Sequence, residues 1–113
     1  DTSGSADLFR RDRLTGQTVL LTHTGDGVTT GNGFIGSPVS ISADGSVVVF
    51  TSTSTNLVPG FVDGNGSDES DVYQWRDGVV TLVSGAAGSA TQGGNGGSNQ
   101  PRVSADGSAV VFT

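Results

Sequence analysis

The stretch that decides the fold is Ile41-Ser-Ala-Asp-Gly-Ser-Val-Val-Val-Phe50, which returns as Val103-Ser-Ala-Asp-Gly-Ser-Ala-Val-Val-Phe112. The two copies begin at residues 41 and 103, a spacing of 62 residues. Each copy places Asp-Gly between two apolar runs, which is typical of a tight hairpin turn because Gly accepts a positive φ and Asp tolerates one. Repetition at this spacing, with short strands in each unit, predicts β-propeller blades rather than a helical solenoid.

The residues around the first copy predict one complete blade. Four short apolar runs are separated by turn-forming residues, and we expect them to form antiparallel strands at residues 38–42, 47–51, 71–76 and 79–84. The second hairpin turn is Asp77-Gly78. Four antiparallel strands joined in this way make up a propeller blade.

The flanking residues predict two half blades. Residues 7–12 and 17–22 repeat the third and fourth strands, and residues 101–104 and 108–112 repeat the first and second. The predicted fold class is therefore all-β, a β-propeller with about two four-stranded antiparallel blades in a half-whole-half arrangement. Its units are residues 1–37, 38–100 and 101–113, where residues 23–37 and 85–100 are interpreted as connections between blades.

The composition excludes several classes of function. The chain of 113 residues has a net charge of −6, five basic residues that are all Arg, and no Cys. Nucleic acid is not expected as a partner: phosphate backbones are bound by clustered Lys and Arg, and the one cluster here, Arg10, Arg11 and Arg13, is flanked by Asp7 and Asp12. No window approaches the roughly 20 apolar residues of a membrane span. An acidic chain without Lys and rich in Gly, Ser and Thr is typical of a secreted protein, so we expect an extracellular or periplasmic location.

The repeat resembles a known family. Besides the two copies quoted above, it carries Thr55-Asn-Leu-Val-Pro-Gly60, Asp71-Val-Tyr73 and Asp7-Leu-Phe-Arg-Arg-Asp-Arg-Leu-Thr-Gly-Gln-Thr18. These motifs are similar to the long PD40 (WD40-like) repeats of TolB-like bacterial β-propellers, and the resemblance covers nearly the whole chain. It implies a propeller of a secreted or periplasmic protein that serves mostly as a binding or scaffolding platform, although some such propellers cap hydrolases. No catalytic residue is implied, because the shared motifs are turns and strands.

The best candidate for a binding site is an acidic loop before the third strand. Oxygen-bearing side chains occur there at alternate positions, in Asp63, Asn65, Ser67, Glu69 and Asp71. Calcium prefers hard oxygen ligands, which alternate residues of a curled loop can supply. The loop therefore predicts a calcium site, and the alternative is a solvated acidic loop whose Asp and Asn side chains form local turns.

A shorter loop at the start of the chain is a weaker calcium candidate. Its oxygen-bearing residues are Asp1, Ser3 and Asp7. This loop lacks the insertion that lengthens the acidic loop of the complete blade.

Other residues with chemical potential favour structural roles. The only His, His23, is interpreted as a surface residue, and Asp44 and Asp106 as turn residues rather than a catalytic pair. Tyr73 and Trp75 alternate on the third strand and share one face, which favours core packing over carbohydrate stacking. A carbohydrate partner therefore has no support from the sequence, and we do not expect an enzyme.

Two blades cannot close a propeller ring, because each blade buries its faces against neighbours. Three interpretations remain open: a fragment of a longer propeller, a unit whose identical copies form a ring, or a unit that packs into a filament. The expected partners are other propeller blades, either in the same longer chain or in identical subunits. The leading functional hypothesis is a non-catalytic structural or interaction module, and the alternative is an accessory part of an extracellular hydrolase.

Overall fold

The structure, a computed structural model, describes residues 4–113. These residues form eight β-strands and no helix. The strands are β1 (Phe9–Arg11), β2 (Thr18–Leu20), β3 (Ile35–Ile41), β4 (Val47–Ser52), β5 (Asp71–Arg76), β6 (Val79–Leu82), β7 (Arg102–Val103) and β8 (Val110–Val111). The part of the chain described here thus has no helix long and apolar enough to cross a membrane.

The strands form three antiparallel sheets in the order that the repeat predicts. β1 pairs with β2, β3 to β6 form a four-stranded sheet in chain order, and β7 pairs with β8. The all-β, antiparallel prediction is therefore confirmed. One difference lies in β3, which begins at Ile35 within the segment interpreted as a connection. Its early part pairs Ile35 with Ser52 and Gly36 with Thr51, after which the register shifts before Ser40.

The four-stranded sheet is buried on both faces at β4. Every residue of Val47–Ser52 is buried, which explains why this strand is a continuous apolar run rather than an alternating one. Since side chains alternate along a strand, Val48 and Phe50 point to one face and Val47 and Val49 to the other. We call these the Phe50 face and the Val47 face.

The two half sheets cover opposite faces of the four-stranded sheet. On the Phe50 face, the core cluster joins Tyr73 and Trp75 to Leu21, which follows β2, with Leu8 and Val19 packed against it. On the Val47 face, the turn between β7 and β8 comes so close that a Cβ added to Gly107 would lie 2.8 Å from Val47 Cγ2. The three sheets are therefore stacked face on face.

The glycine-rich connections are packed segments. A Cβ added to Gly64 would lie 2.7 Å from the carbonyl oxygen of Gly94, and one added to Gly31 would lie 2.9 Å from Leu57 Cδ2. At Gly64 the neighbouring backbone leaves no room for a Cβ, whereas at Gly31 the side chains of Ser54 and Leu57 would have to shift. In residues 85–100, Gly93 and Gly97 likewise lie against the carboxylates of Asp71 and Glu69, whereas a Cβ at Gly88 or Gly96 would meet no atom within 4 Å.

Candidate functional site

The acidic loop begins with a turn that its first carboxylate closes. Asp63 Oδ1 accepts hydrogen bonds from the backbone N–H of Asn65 at 3.0 Å and of Gly66 at 2.9 Å. This is the local Asx turn that Asp favours, and Gly66 supplies the positive φ of 96° that follows it. The turn directs the loop back toward the first residue of β5.

That first residue, Asp71, has a buried carboxyl group. Its residue is 3% exposed, and Oδ1 accepts a hydrogen bond of 2.8 Å from Ser84 Oγ. Burial raises the pKa of Asp71, the charge of Asp63 raises it further, and hydrogen bonds from the side chains of Ser84 and Asn65 oppose both effects. Asp63, Asn65 and Asp71 are therefore brought together.

In the side-chain amide of Asn65, the nitrogen is hydrogen-bonded and the oxygen is not. Its Nδ2 donates a hydrogen bond of 3.2 Å to the carbonyl oxygen of Gly96. Its Oδ1 is buried and has no hydrogen-bond partner. A buried acceptor without a donor costs free energy, so this oxygen is an unsatisfied polar atom in the interior of the loop.

The other two residues of the predicted calcium set lie elsewhere in the loop. Ser67 and Glu69 are exposed. Ser67 lines a cleft with Asp68 and Phe34, and the Glu69 carboxylate lies against Gly97. Within residues 4–113 no group of three or more His, Cys, Asp or Glu side chains is placed to hold a metal ion.

The shorter loop repeats part of this arrangement. Asp1 and Ser3 lie outside the described residues, whereas Asp7 Oδ1 accepts a hydrogen bond of 3.0 Å from Thr22 Oγ1. Thr22 Oγ1 in turn accepts a bond of 3.1 Å from the N–H of Leu8, as Ser84 Oγ does from Val72 at 2.9 Å. The second oxygen of Asp7 is buried without a hydrogen-bond partner. The same pair of hydrogen bonds, from a hydroxyl group to an Asp carboxylate and from a backbone N–H to that hydroxyl group, therefore fixes the start of β1 and of β5.

The two hairpin carboxylates have the turn role that the sequence predicts. Asp44 Oδ1 accepts bonds from Ser46 N at 3.0 Å, Ser46 Oγ at 2.7 Å and Ser42 Oγ at 2.9 Å. Asp106 is bonded in the same way by Ser104 and Ser108. Hydrogen bonds led by the Ser46 N–H lower the pKa of Asp44 to about 2, and bonds led by the Ser104 hydroxyl lower that of Asp106 to about 2.

The interpretation of His23 as a surface residue is wrong. The residue is 4% exposed, and its Nδ1 lies 2.7 Å from the carbonyl oxygen of Thr24, to which it donates. It lines a cleft of about 170 Å³ together with Leu57, Pro59 and Val80. A polar sequence context predicted exposure, but the residue is buried beside a cleft that it shares with apolar residues from distant parts of the chain.

The core prediction for the two β5 aromatic residues is confirmed. Tyr73 and Trp75 are buried in the cluster of the Phe50 face, so neither offers an exposed ring for carbohydrate stacking. Tyr73 donates its hydroxyl to the carbonyl oxygen of Ser54 at 3.0 Å, and burial raises its pKa. The Phe50 and Tyr73 rings are stacked, with centroids 6.0 Å apart.

Sequence reasoning missed a contact between the first half sheet and the complete sheet. The Arg10 guanidinium carbon lies 4.9 Å from the centroid of the Trp75 ring, and Arg10 Nη1 donates a hydrogen bond of 2.8 Å to the carbonyl oxygen of Gly45. The Arg cluster of residues 10–13 was the available signal, but nothing local identifies its partner.

The second candidate site is the pair of open sheet edges. Among the described residues, β1 pairs only with β2, and β8 only with β7. Phe9, Val111 and Phe112 are exposed at these edges. Unpaired strand edges with apolar side chains favour pairing with a further strand.

No family model matches the chain, and no curated protein and no solved structure matches it either. The functional conclusions therefore depend on the geometry of the two candidate sites.

Proposed function

We propose that this chain is a non-catalytic structural and interaction module of a secreted bacterial β-propeller of the PD40, TolB-like type, which assembles with other copies of itself. The observation that carries the proposal is the match between the half sheets and the complete sheet. The β1–β2 pairing places Phe9 opposite Leu20, and the β5–β6 pairing places Tyr73 opposite Leu82. The half sheets thus correspond to the outer and inner halves of one blade.

The stacking of the sheets supports the propeller part of the proposal. In a propeller, four-stranded antiparallel sheets pack face on face around an axis, so that each blade is covered by its neighbours. The complete sheet has neighbours on both its Phe50 face and its Val47 face. Each half sheet, in contrast, contacts a described neighbour through one face.

The placement of the polar groups supports a structural role. Asp44 and Asp106 close hairpin turns, Asp7 and Asp71 fix strand starts, and the buried His23 is hydrogen-bonded to the carbonyl oxygen of Thr24. Each of these groups has a local structural partner. None of these contacts pairs a nucleophile with a base, as nucleophilic catalysis requires.

We extend the proposal to calcium stabilisation of the acidic loop. Three of the five expected residues fit such a role: Asp63, Asn65 and Asp71 come together, and Asn65 Oδ1 lacks a donor. These residues would hold the ion with backbone oxygens and water, since calcium takes about six to eight oxygen ligands. The bound charge would offset the repulsion between the two carboxylates and the desolvation of Asp71.

Light scattering coupled to size exclusion tests the assembly directly. The chain is measured over a range of concentrations, first in EDTA and then in excess calcium. We expect a mass above that of one chain at high concentration, and electron microscopy of that fraction should show rings or filaments. A chain that stays monomeric at every concentration would contradict the proposed assembly.

A further inference from the structure

The open edges carry apolar side chains whose counterparts in the complete sheet are buried. Val111 of β8 corresponds to Val49 of β4, and Phe9 of β1 corresponds to Tyr73 of β5. Val49 is 0% and Tyr73 1% exposed, whereas Val111 is 66% and Phe9 55% exposed. The same positions of the repeat therefore lack cover at the two edges.

The complete sheet shows how these strand types pair. β4 and β5 are antiparallel, with Val49 opposite Gln74 and Phe50 opposite Tyr73. β8 repeats β4 at the 62-residue spacing, and β1 repeats β5 with its hairpin partner in the same register. Both halves of the β4–β5 pairing are thus present in this chain, but on different half sheets.

We propose that β8 of one copy pairs with β1 of a second copy in the register of β4 and β5. Phe112 then lies opposite Phe9 of the second copy, and Val111 lies opposite its Arg10. This inference rests on the proposed self-assembly and identifies the strands and the register through which it occurs. The product is a four-stranded sheet, built half from one copy and half from the next.

The strand pair forms between two copies, because the two half sheets of one copy lie on opposite faces of its complete sheet. The β1–β2 sheet covers the Phe50 face, and the β7–β8 turn packs against Val47 on the opposite face. A four-stranded sheet therefore separates the two edges within one copy. A second copy can offer β1 without any rearrangement of the first.

The joined sheet also explains which side chains are exposed. Because side chains alternate along a strand, Phe9 points away from the complete sheet of the copy to which it belongs. Val111 likewise points away from the complete sheet of its own copy. Once the half sheets are joined, the complete sheet of the first copy covers Phe9 of the second, and the complete sheet of the second covers Val111 of the first. Both exposed apolar side chains are buried in one step.

The contact is heterologous, since it joins two different edges. A head-to-tail contact gives a closed ring where its rotation closes and a filament where it does not. Each copy contributes its complete sheet and one half of each adjoining sheet. Every half sheet in the interior of the assembly then has its partner.

Disulfide trapping between two singly substituted chains tests the register. The chain has no Cys, so Phe9→Cys and Phe112→Cys each introduce one thiol at an exposed position. Directly opposed residues of an antiparallel pair have Cα atoms about 4.5–5.5 Å apart, within the range that a disulfide spans. Fluorescence of the single, buried Trp75 confirms that each variant is folded.

We expect oxidation of the mixture to give about tenfold more covalent dimer than either variant alone, because pairing raises the local thiol concentration only between unlike edges. The matched control mixes Phe112→Cys with Val79→Cys, which places an exposed thiol on the outer edge strand β6. Equal trapping in the control mixture, or of Phe9→Cys with itself, would overturn the register.

Light scattering on the same proteins separates the two levels of the proposal. Assembly without selective trapping of the Phe9 and Phe112 pair would overturn the strand pairing and leave self-assembly in place. A monomer at every concentration would overturn both. Selective trapping together with a mass above one chain supports both.

Discussion

Arg10 lies over the ring of Trp75, with its guanidinium carbon 4.9 Å from the ring centroid. The contact joins β1 of the first half sheet to β5 of the complete sheet, and Arg10 also donates a hydrogen bond to the carbonyl oxygen of Gly45 in the β3–β4 turn. Two successive sheets are thus held by a cation–π contact at the edge of their apolar interface. The arrangement makes the side chain of Arg10 part of the packing between sheets.

Replacing Arg10 should therefore weaken the stacking of the sheets. We expect Arg10→Ala to lower the free energy of unfolding by about 1 kcal/mol, from loss of the cation–π contact and of the methylene packing. The measurement is urea unfolding followed by Trp75 fluorescence, at a concentration low enough to keep the chain monomeric. The matched control is Arg11→Ala, since Arg11 bonds only the exposed Thr18 hydroxyl across the hairpin and should matter little. Equal losses in the two variants would contradict the assignment.

The glycines of the connections offer a sharper comparison. A Cβ added to Gly33 would collide with the backbone of Thr53 and Ser54, whereas one added to Gly96 meets no atom within 4 Å. We expect Gly33→Ala to destabilise the chain by about 1–3 kcal/mol through overpacking. Gly96→Ala should leave stability unchanged or slightly higher, because it restricts the unfolded chain. Thermal unfolding of both variants checks this, and a loss in Gly96→Ala equal to that in Gly33→Ala would contradict it.

Features that depend on neighbouring residues can be predicted from the sequence, whereas features that depend on long-range contacts cannot. The Asp44-Gly45 turn and the β4 run depend on neighbouring residues, so both strands of the hairpin are predictable from their pattern. His23 is buried beside a cleft that Leu57 and Pro59, more than thirty residues away, also line, and no local pattern indicates this burial. Long-range packing decides such positions, because a polar residue becomes buried when a distant segment folds over it.

The acidic loop shows the same difference between what local sequence and what long-range packing determine. Alternating oxygen-bearing residues predicted a loop that could gather around a cation, and three of these residues meet. The unsatisfied Asn65 Oδ1 depends on how the loop packs against Gly96, and the buried carboxyl of Asp71 depends on Ser84, two residues after the end of β6. The composition of the loop could not distinguish these residues from the exposed Ser67 and Glu69.

Acid should weaken the fold through the hairpin carboxylates. The pKa of Asp44 is lowered from an ordinary 3.8 to about 2, so its contribution to stability is present above pH 3.8 and is lost as the pH falls through about 2. Asp106 behaves in the same way. We therefore expect the melting temperature to fall between pH 4 and pH 2, and to fall less in Asp44→Asn and least in Asp44→Asn/Asp106→Asn. Identical pH profiles for the three proteins would contradict this assignment.

Calcium should stabilise the chain through Asp71. At about tenfold excess over its dissociation constant, a bound ion adds about 1.4 kcal/mol to the free energy of unfolding. Asp71→Asn should abolish this gain, while the matched control Asp68→Asn, which changes an exposed residue of the same loop, should keep it. Thermal unfolding in EDTA and in millimolar calcium provides the measurement. Equal calcium responses in the two variants would place the ion elsewhere or exclude it.

Without calcium, the contribution of Asp71 to stability should depend on pH in the opposite direction to that of Asp44. Burial, first, and the charge of Asp63 raise the pKa of Asp71 above 3.8. Its contribution to stability is therefore present below pH 3.8 and is lost as the pH rises through the raised value. In EDTA, Asp71→Asn should remove this loss, so the variant gains on the wild type as the pH increases. A difference between the two proteins that does not change with pH would contradict the buried carboxylate.

The proposed strand pairing gives a charge test at one position. Val111 of one copy lies opposite Arg10 of the next, so Val111→Lys sets two like charges across the joined strands, and Lys on an edge strand also opposes pairing. Val111→Glu adds a charge of the other sign at the same place. We expect the lysine variant to stay monomeric at concentrations where the glutamate variant still assembles. Val79→Lys, on the outer edge, should assemble like the wild type. Light scattering compares the three, and equal weakening by lysine and glutamate would show that Val111 does not face Arg10.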